Sequence, residues 1–81
     1  MSVKEISLRR ELVELAERQQ DLDRRIADAL NRKRFSADPG TVAKAEEDER
    51  TLLTELDRLL TRTRAVEGQL LQIKKRRERQ P

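Results

Sequence analysis

The chain has no cysteine and no histidine. Without cysteine there is no disulfide framework and no thiolate metal site. Without histidine the commonest general base and metal ligand is missing. Phe35 is the single aromatic residue, and proline and glycine occur only as Pro39, Pro81, Gly40 and Gly68. No apolar run approaches the roughly 20 residues needed to span a bilayer. The opening, MSVKEISLRRELVEL, is charged throughout and lacks the apolar stretch of a signal peptide. These absences lead to the expectation of a soluble, cytoplasmic protein with no membrane partner, although export without a cleaved signal leaves the same pattern.

What the chain has in abundance is charge. Charged residues make up 43% of it, and 19 cations against 16 anions leave a net +3. A chain of 81 residues holds one small domain at most, and chains this short struggle to bury enough apolar surface alone. Such a composition means a coiled coil or long helix when a helical repeat accompanies it, and disorder when none does.

The repeat is present. Ser2 followed three residues later by Glu5 is a capping-box pattern, with Met1 and Ile6 placed as a hydrophobic staple. Leu8, Leu12, Leu15, Gln19, Leu22 and Ile26 then recur at alternating steps of four and three. This is a heptad seam with Leu8, Leu15 and Leu22 at d and Leu12, Gln19 and Ile26 at a. It weakens at Ala29 and Lys33, and Arg32, Lys33 and Arg34 place positive charge where a helix C-terminus favours it.

The one break falls at 35–41, around Asp38-Pro39-Gly40. Proline disfavours a helical residue before it and suits the first position of a new helix, with Asp38 as the N-cap. Glu46, Glu47, Asp48 and Glu49 follow and suit the helix dipole. A second seam runs Val42, Ala45, Glu49, Leu52, Leu56, Leu59, Thr63, Val66, Leu70, Ile73, before the basic tail Lys74-Lys75-Arg76-Arg77-Glu78-Arg79.

The fold class expected is therefore all-α: one helical hairpin over 1–81, with helices over 2–35 and 39–78, a turn over 35–38 and a basic tail over 74–81. Two helices of about 35 residues on so short a link fold back antiparallel. That brings Ile26 near Glu49 and Leu52, Leu15 near Leu59 and Thr63, and Val3 near Ile73. Leu30, Leu53 and Leu60 lie at e positions and Ile6, Val13 and Leu71 at b, so the apolar stripe is wider than a two-helix contact covers. A second hairpin, whether its own copy or another helical protein, would complete a four-helix core. The alternative is ordinary scattered surface apolarity.

Candidate interface residues are Leu12, Leu15, Gln19, Leu22, Leu30, Leu53, Leu56, Leu59 and Leu60. Gln19 and Thr63, polar at a positions, either fix register and oligomer state or sit in loosely packed layers. Gly68, at f, marks tolerated exposure. At the open end of the hairpin, Arg9, Arg10, Lys74, Lys75, Arg76, Arg77 and Arg79 form a second candidate surface, one suited to phosphates. A solvated helix end complementing its own dipole gives the same pattern. No Gly-rich loop, nucleophile–base arrangement or metal-ligand spacing occurs, so no enzyme, cofactor or small-molecule substrate is expected.

One stretch carries a family resemblance. Leu30-Asn31, Phe35, Asp38-Pro39 and Val42, followed by Lys44-Ala45-Glu46 and Leu52, resemble the turn of the coiled-coil arms of valyl-tRNA synthetases and the C-terminal arms of ABC-F ATPases. The resemblance implies an antiparallel hairpin that touches nucleic acid. The chain is also similar in length and layout to the small two-helix chaperones of type III secretion, which implies a protein partner. Two functions follow as expectations: a non-catalytic protein-interaction protein (scaffold, adaptor or small chaperone), or a nucleic-acid-binding hairpin using its basic end.

Overall fold

The computed structural model describes residues 1–79. They form two α-helices, α1 (Val3–Phe35) and α2 (Pro39–Arg79), joined by residues 36–38. Gln80 and Pro81, the end of the expected basic tail, lie outside the described residues; the rest of that tail is part of α2.

Local chemistry sets each helix end. Ser2 caps α1, its hydroxyl accepting from the Glu5 N–H at 3.1 Å, which satisfies one of the orphan donors of the first turn. The reciprocal half of the capping box does not form, because the Glu5 side chain turns inward. Met1 and Ile6 both stay exposed. At the other end, Arg32, Lys33 and Arg34 occupy the last turn, and the Ser36 N–H closes on the Arg32 carbonyl at 3.1 Å.

Asp38 then restarts the chain. Its carboxylate Oδ2 accepts from the Thr41 N–H at 3.0 Å and the Thr41 hydroxyl at 2.8 Å, and its carbonyl accepts from the Val42 N–H. Pro39 occupies the first helical position, where it has no N–H to leave unsatisfied. The hydrogen bonds from the Thr41 hydroxyl and N–H hold the Asp38 carboxyl below its usual range. Asp38 is the acid that serves the α2 dipole. The first turn of α2 itself has none, and the acids at 46–49 sit too far along for that role.

Ion pairs join the helices along their length and establish the antiparallel register: Glu5 with Arg77, Glu11 with Arg62, Arg32 with Asp48, and Lys33 with Glu49. Leu15 lies alongside Leu59, sharing a groove with Leu22. At the open end Glu5 enters the seam, while Val3 is 85% exposed and does not pack on Ile73. The closed core is thin: Leu8, Leu22 and Ala29 against Ala45, Leu59 and Val66. Leu12, Leu15, Ile26, Leu52, Leu56, Leu70 and Ile73 are half-buried.

The molecule is a rod of 66 × 15 × 14 Å with a radius of gyration of 18.4 Å. A compact domain of this length has about 12 Å. The exposed surface is 6517 Å², against about 5,000 Å² for a compact monomer of this mass.

Candidate functional site

The two flanks of the rod differ in chemistry. Flanking positions of an antiparallel pair meet like with like, g beside g on one side and e beside e on the other. The g flank carries Glu11, Arg18, Arg25 and Arg32 on α1, and Asp48, Glu55, Arg62, Gln69 and Arg76 on α2. Here the Arg62 guanidinium grips Glu11 with both arms, at 2.5 and 2.8 Å. Arg32 donates to Asp48 at 3.2 Å, and Lys44 approaches the same carboxylate at 3.3 Å. The Arg62 hydrogen bond lowers the Glu11 pKa, as those from Arg32 and Lys44 lower that of Asp48. Two ion pairs thus join the helices across this flank, while Arg18, Glu55 and Arg76 face solvent.

The e flank is different. It presents Ala16 and Leu30 from α1 with Leu53 and Leu60 from α2. The adjoining b positions add Ile6, Val13, Ala27 and Leu71. Leu30 is 43% exposed and Leu53 45%; Ile6, Val13 and Leu71 are exposed still further or to a similar degree, and Leu60 is half-buried. Arg9, Asp23, Glu46, Glu67 and Lys74 interrupt the stripe. Apolar residues at a, d and e make a face broad enough to pack on further helices.

At the open end, Glu5 is the buried charged residue among the described residues, 3% exposed. It occupies the a position one heptad before Leu12, and the seam of α2 continues past Ile73 to Arg77, also at a. The Arg77 guanidinium reaches across to Glu5 Oε1, and Arg9 donates to Oε2 at 3.2 Å from within α1. Burial pushes the Glu5 pKa up, but the two guanidiniums, Arg77 foremost, outweigh it and hold the carboxyl below its usual range. The C-terminal turns of α2 are thereby pinned to the first turn of α1. The turn end has a looser counterpart, with Lys33 Nζ 3.7 Å from Glu49 Oε2, again between a positions. That oxygen is the one buried side-chain polar atom among the described residues without a hydrogen bond.

The polar layers in the middle of the seam also resolve. The Thr63 hydroxyl donates to the Leu59 carbonyl at 3.0 Å in its own helix, so it is satisfied locally, as β-branched hydroxyls often are in helices. Gln19 is half-buried and reaches solvent. A Cβ added at Gly68 would meet nothing within 4 Å.

Of the expected interface residues, Leu22 and Leu59 are buried within the hairpin, and Leu12, Leu15, Gln19 and Leu56 are half-buried in its seam. Leu30, Leu53 and Leu60 lie together on the outer e flank. All of the basic candidates (Arg9, Arg10, Lys74, Lys75, Arg76, Arg77 and Arg79) are exposed, and Arg9 and Arg77 also pair with Glu5. Sequence reasoning missed the Glu5 clamp, although the signal was present: Glu5 and Arg77 continue the two seams at a positions. It also missed the contrast between the flanks, which the charges at g already spell out.

Among the described residues no group of three or more acids could hold a metal ion, and no helix is long and apolar enough to cross a membrane. Comparison with protein-family models, with curated proteins and with solved structures finds no match to this chain.

Proposed function

We propose that this chain is a non-catalytic assembly protein, a helical rod that packs its apolar e flank against helices of a protein partner as a scaffold, adaptor or small chaperone. The observation that carries this reading is the contrast between the flanks. One is charged and joins its helices through Glu11–Arg62 and Arg32–Asp48, whereas the other leaves Leu30, Leu53 and their b-position neighbours in water. Large apolar side chains gathered on one face, even with charges between them, suit packing against another helix. The nucleic-acid reading is the weaker one, because Glu5 already pairs with Arg9 and Arg77 within the basic end, and phosphate affinity scales with the number of cations brought to bear.

The test is affinity capture from the source cell with two variants. One carries Leu30→Glu and Leu53→Glu; the other carries Lys74→Glu, Lys75→Glu and Arg76→Glu. Protein partners are expected to vanish with the first variant and to survive both the second variant and nuclease treatment. Capture that instead depends on the three basic residues and is lost with nuclease contradicts the reading.

A further inference from the structure

We propose that the partner on the e flank is a second copy of this chain, lying antiparallel to the first about a two-fold axis that passes beside Leu60. This rests on the reading of that flank as an interaction surface.

Three observations lead to it. The rod exposes about 1,500 Å² more than a compact monomer of its mass, of the order that one protomer of a stable obligate dimer buries. Part of the flank is also self-complementary about its middle. Leu60 lies 21 residues beyond Pro39, about 32 Å along α2, near half of the 66 Å length. Glu46 and Lys74 each lie 14 residues from Leu60 at the same heptad position. A two-fold axis at Leu60 therefore sets Glu46 of each copy against Lys74 of the other, and Leu60 against Leu60. On α1 the level of Leu59 and Leu60 is that of Arg18, which lines the groove beside Leu59. Leu30 and Ile6 lie 12 residues to either side of Arg18, so the same axis brings Leu30 onto Ile6 of the second copy. The same axis lays Leu53 across from Glu67 and Val13 across from Asp23, so the isologous contact rests on Leu60, on Glu46 with Lys74 and on Leu30 with Ile6.

Charge then selects antiparallel over parallel. The open end gathers Lys4, Arg9, Arg10, Lys74, Lys75, Arg76, Arg77 and Arg79 against Glu5, Glu11 and Glu78. These eight cations and three anions exceed the whole chain's net +3, so the remainder of the rod is net negative. A parallel pair would place two positive ends together. An antiparallel pair lays each positive end on the negative part of the other copy.

The experiment uses the full chain, whose lack of cysteine makes any introduced thiol unique. Differently tagged Glu46→Cys and Lys74→Cys proteins are mixed and treated with a short bismaleimide, alongside sedimentation equilibrium of the unmodified chain. Both positions are on the e flank, Lys74 exposed and Glu46 half-buried, and circular dichroism confirms that each variant folds. The antiparallel dimer gives a mixed cross-link. It also gives a dimer weakened about tenfold by Glu46→Lys, the scale of two exposed ion pairs reversed, and restored when Lys74→Glu is added. Linkage of Glu46→Cys only to itself overturns the arrangement, since in a parallel pair positions 46 and 74 lie about 42 Å apart. A folded monomer overturns the second copy as partner, while capture that Leu30→Glu and Leu53→Glu abolish still upholds the interaction surface. A dimer indifferent to those two substitutions overturns both.

Discussion

Leu59 is the residue at which the seam is most open to quantitative test. It is 7% exposed and packs in the middle of the rod beside Leu15 and Leu22. Leu59→Ala removes three carbons, about 2.4 kcal/mol of transfer free energy at about 0.8 per methylene. A sealed void would add to this, but the groove here opens to solvent between Arg18, Arg58 and Arg62, so water and side-chain collapse limit that addition. The expected loss is about 2.5–3 kcal/mol, the lower part of the range for buried leucine truncation. Leu56→Ala, half-buried one turn away, is expected to lose about half as much. Stability for a chain of this length is about 4–12 kcal/mol, so the Leu59 loss is a large fraction of it. Urea titration followed by helical circular dichroism, at one fixed protein concentration because association is coupled to folding, measures both. A Leu59 loss below about 1 kcal/mol, or one no larger than that of Leu56, would show that Leu59 is not in a closed seam.

Gly68→Ala is expected to stabilise by about 1 kcal/mol, because the new methyl meets open space in the interior of α2; destabilisation would place a neighbour against that face. Replacing Lys33 and Glu49 together by leucine is expected to raise stability by about 1 kcal/mol or more, since the pair is long and leaves Glu49 Oε2 unpartnered. Melting at graded pH is expected to show stability lost on acidification. The folded pKa values of Glu5, Glu11, Asp38 and Asp48 are lowered, so their contribution is complete above the ordinary carboxylate values and disappears as pH falls through the folded ones. Glu5→Gln is expected to flatten that acid limb, and an unchanged limb would remove Glu5 from the account. Deleting 74–81 is expected to strip Arg77 from buried Glu5 and loosen the open end, beyond simple fraying of α2.

The hairpin was legible because its signals are local and repeat. Asp38-Pro39 dictates a cap and a restart in adjacent residues, and a seam that recurs from Leu8 to Ile26 and from Val42 to Ile73 outweighs any single misplacement. Glu5 was not, because one residue fitted two local patterns. As the third residue after Ser2 it completes a capping box, and as the a position before Leu12 it enters the seam. Tertiary contact with Arg77, 72 positions away, decided between them. Val3 shows the same limit at the frayed end of a pattern, where proximity in register does not ensure an inward side chain. Of the leucines expected to lie beside the seam, Leu30 and Leu53 are exposed and Leu60 is half-buried. That they share one flank follows only once Glu11–Arg62 and Arg32–Asp48 show which side is charged.

The most direct test of the central claim, that the e flank is covered in the working protein and covered by a second copy, is thermal unfolding across a hundredfold range of protein concentration with sedimentation equilibrium at each point. The expected result is a mass near twice the 9.5 kDa of one chain and a melting temperature that rises with concentration, each tenfold increase adding about 1.4 kcal/mol. A folded species of single-chain mass, melting at the same temperature throughout, would contradict it.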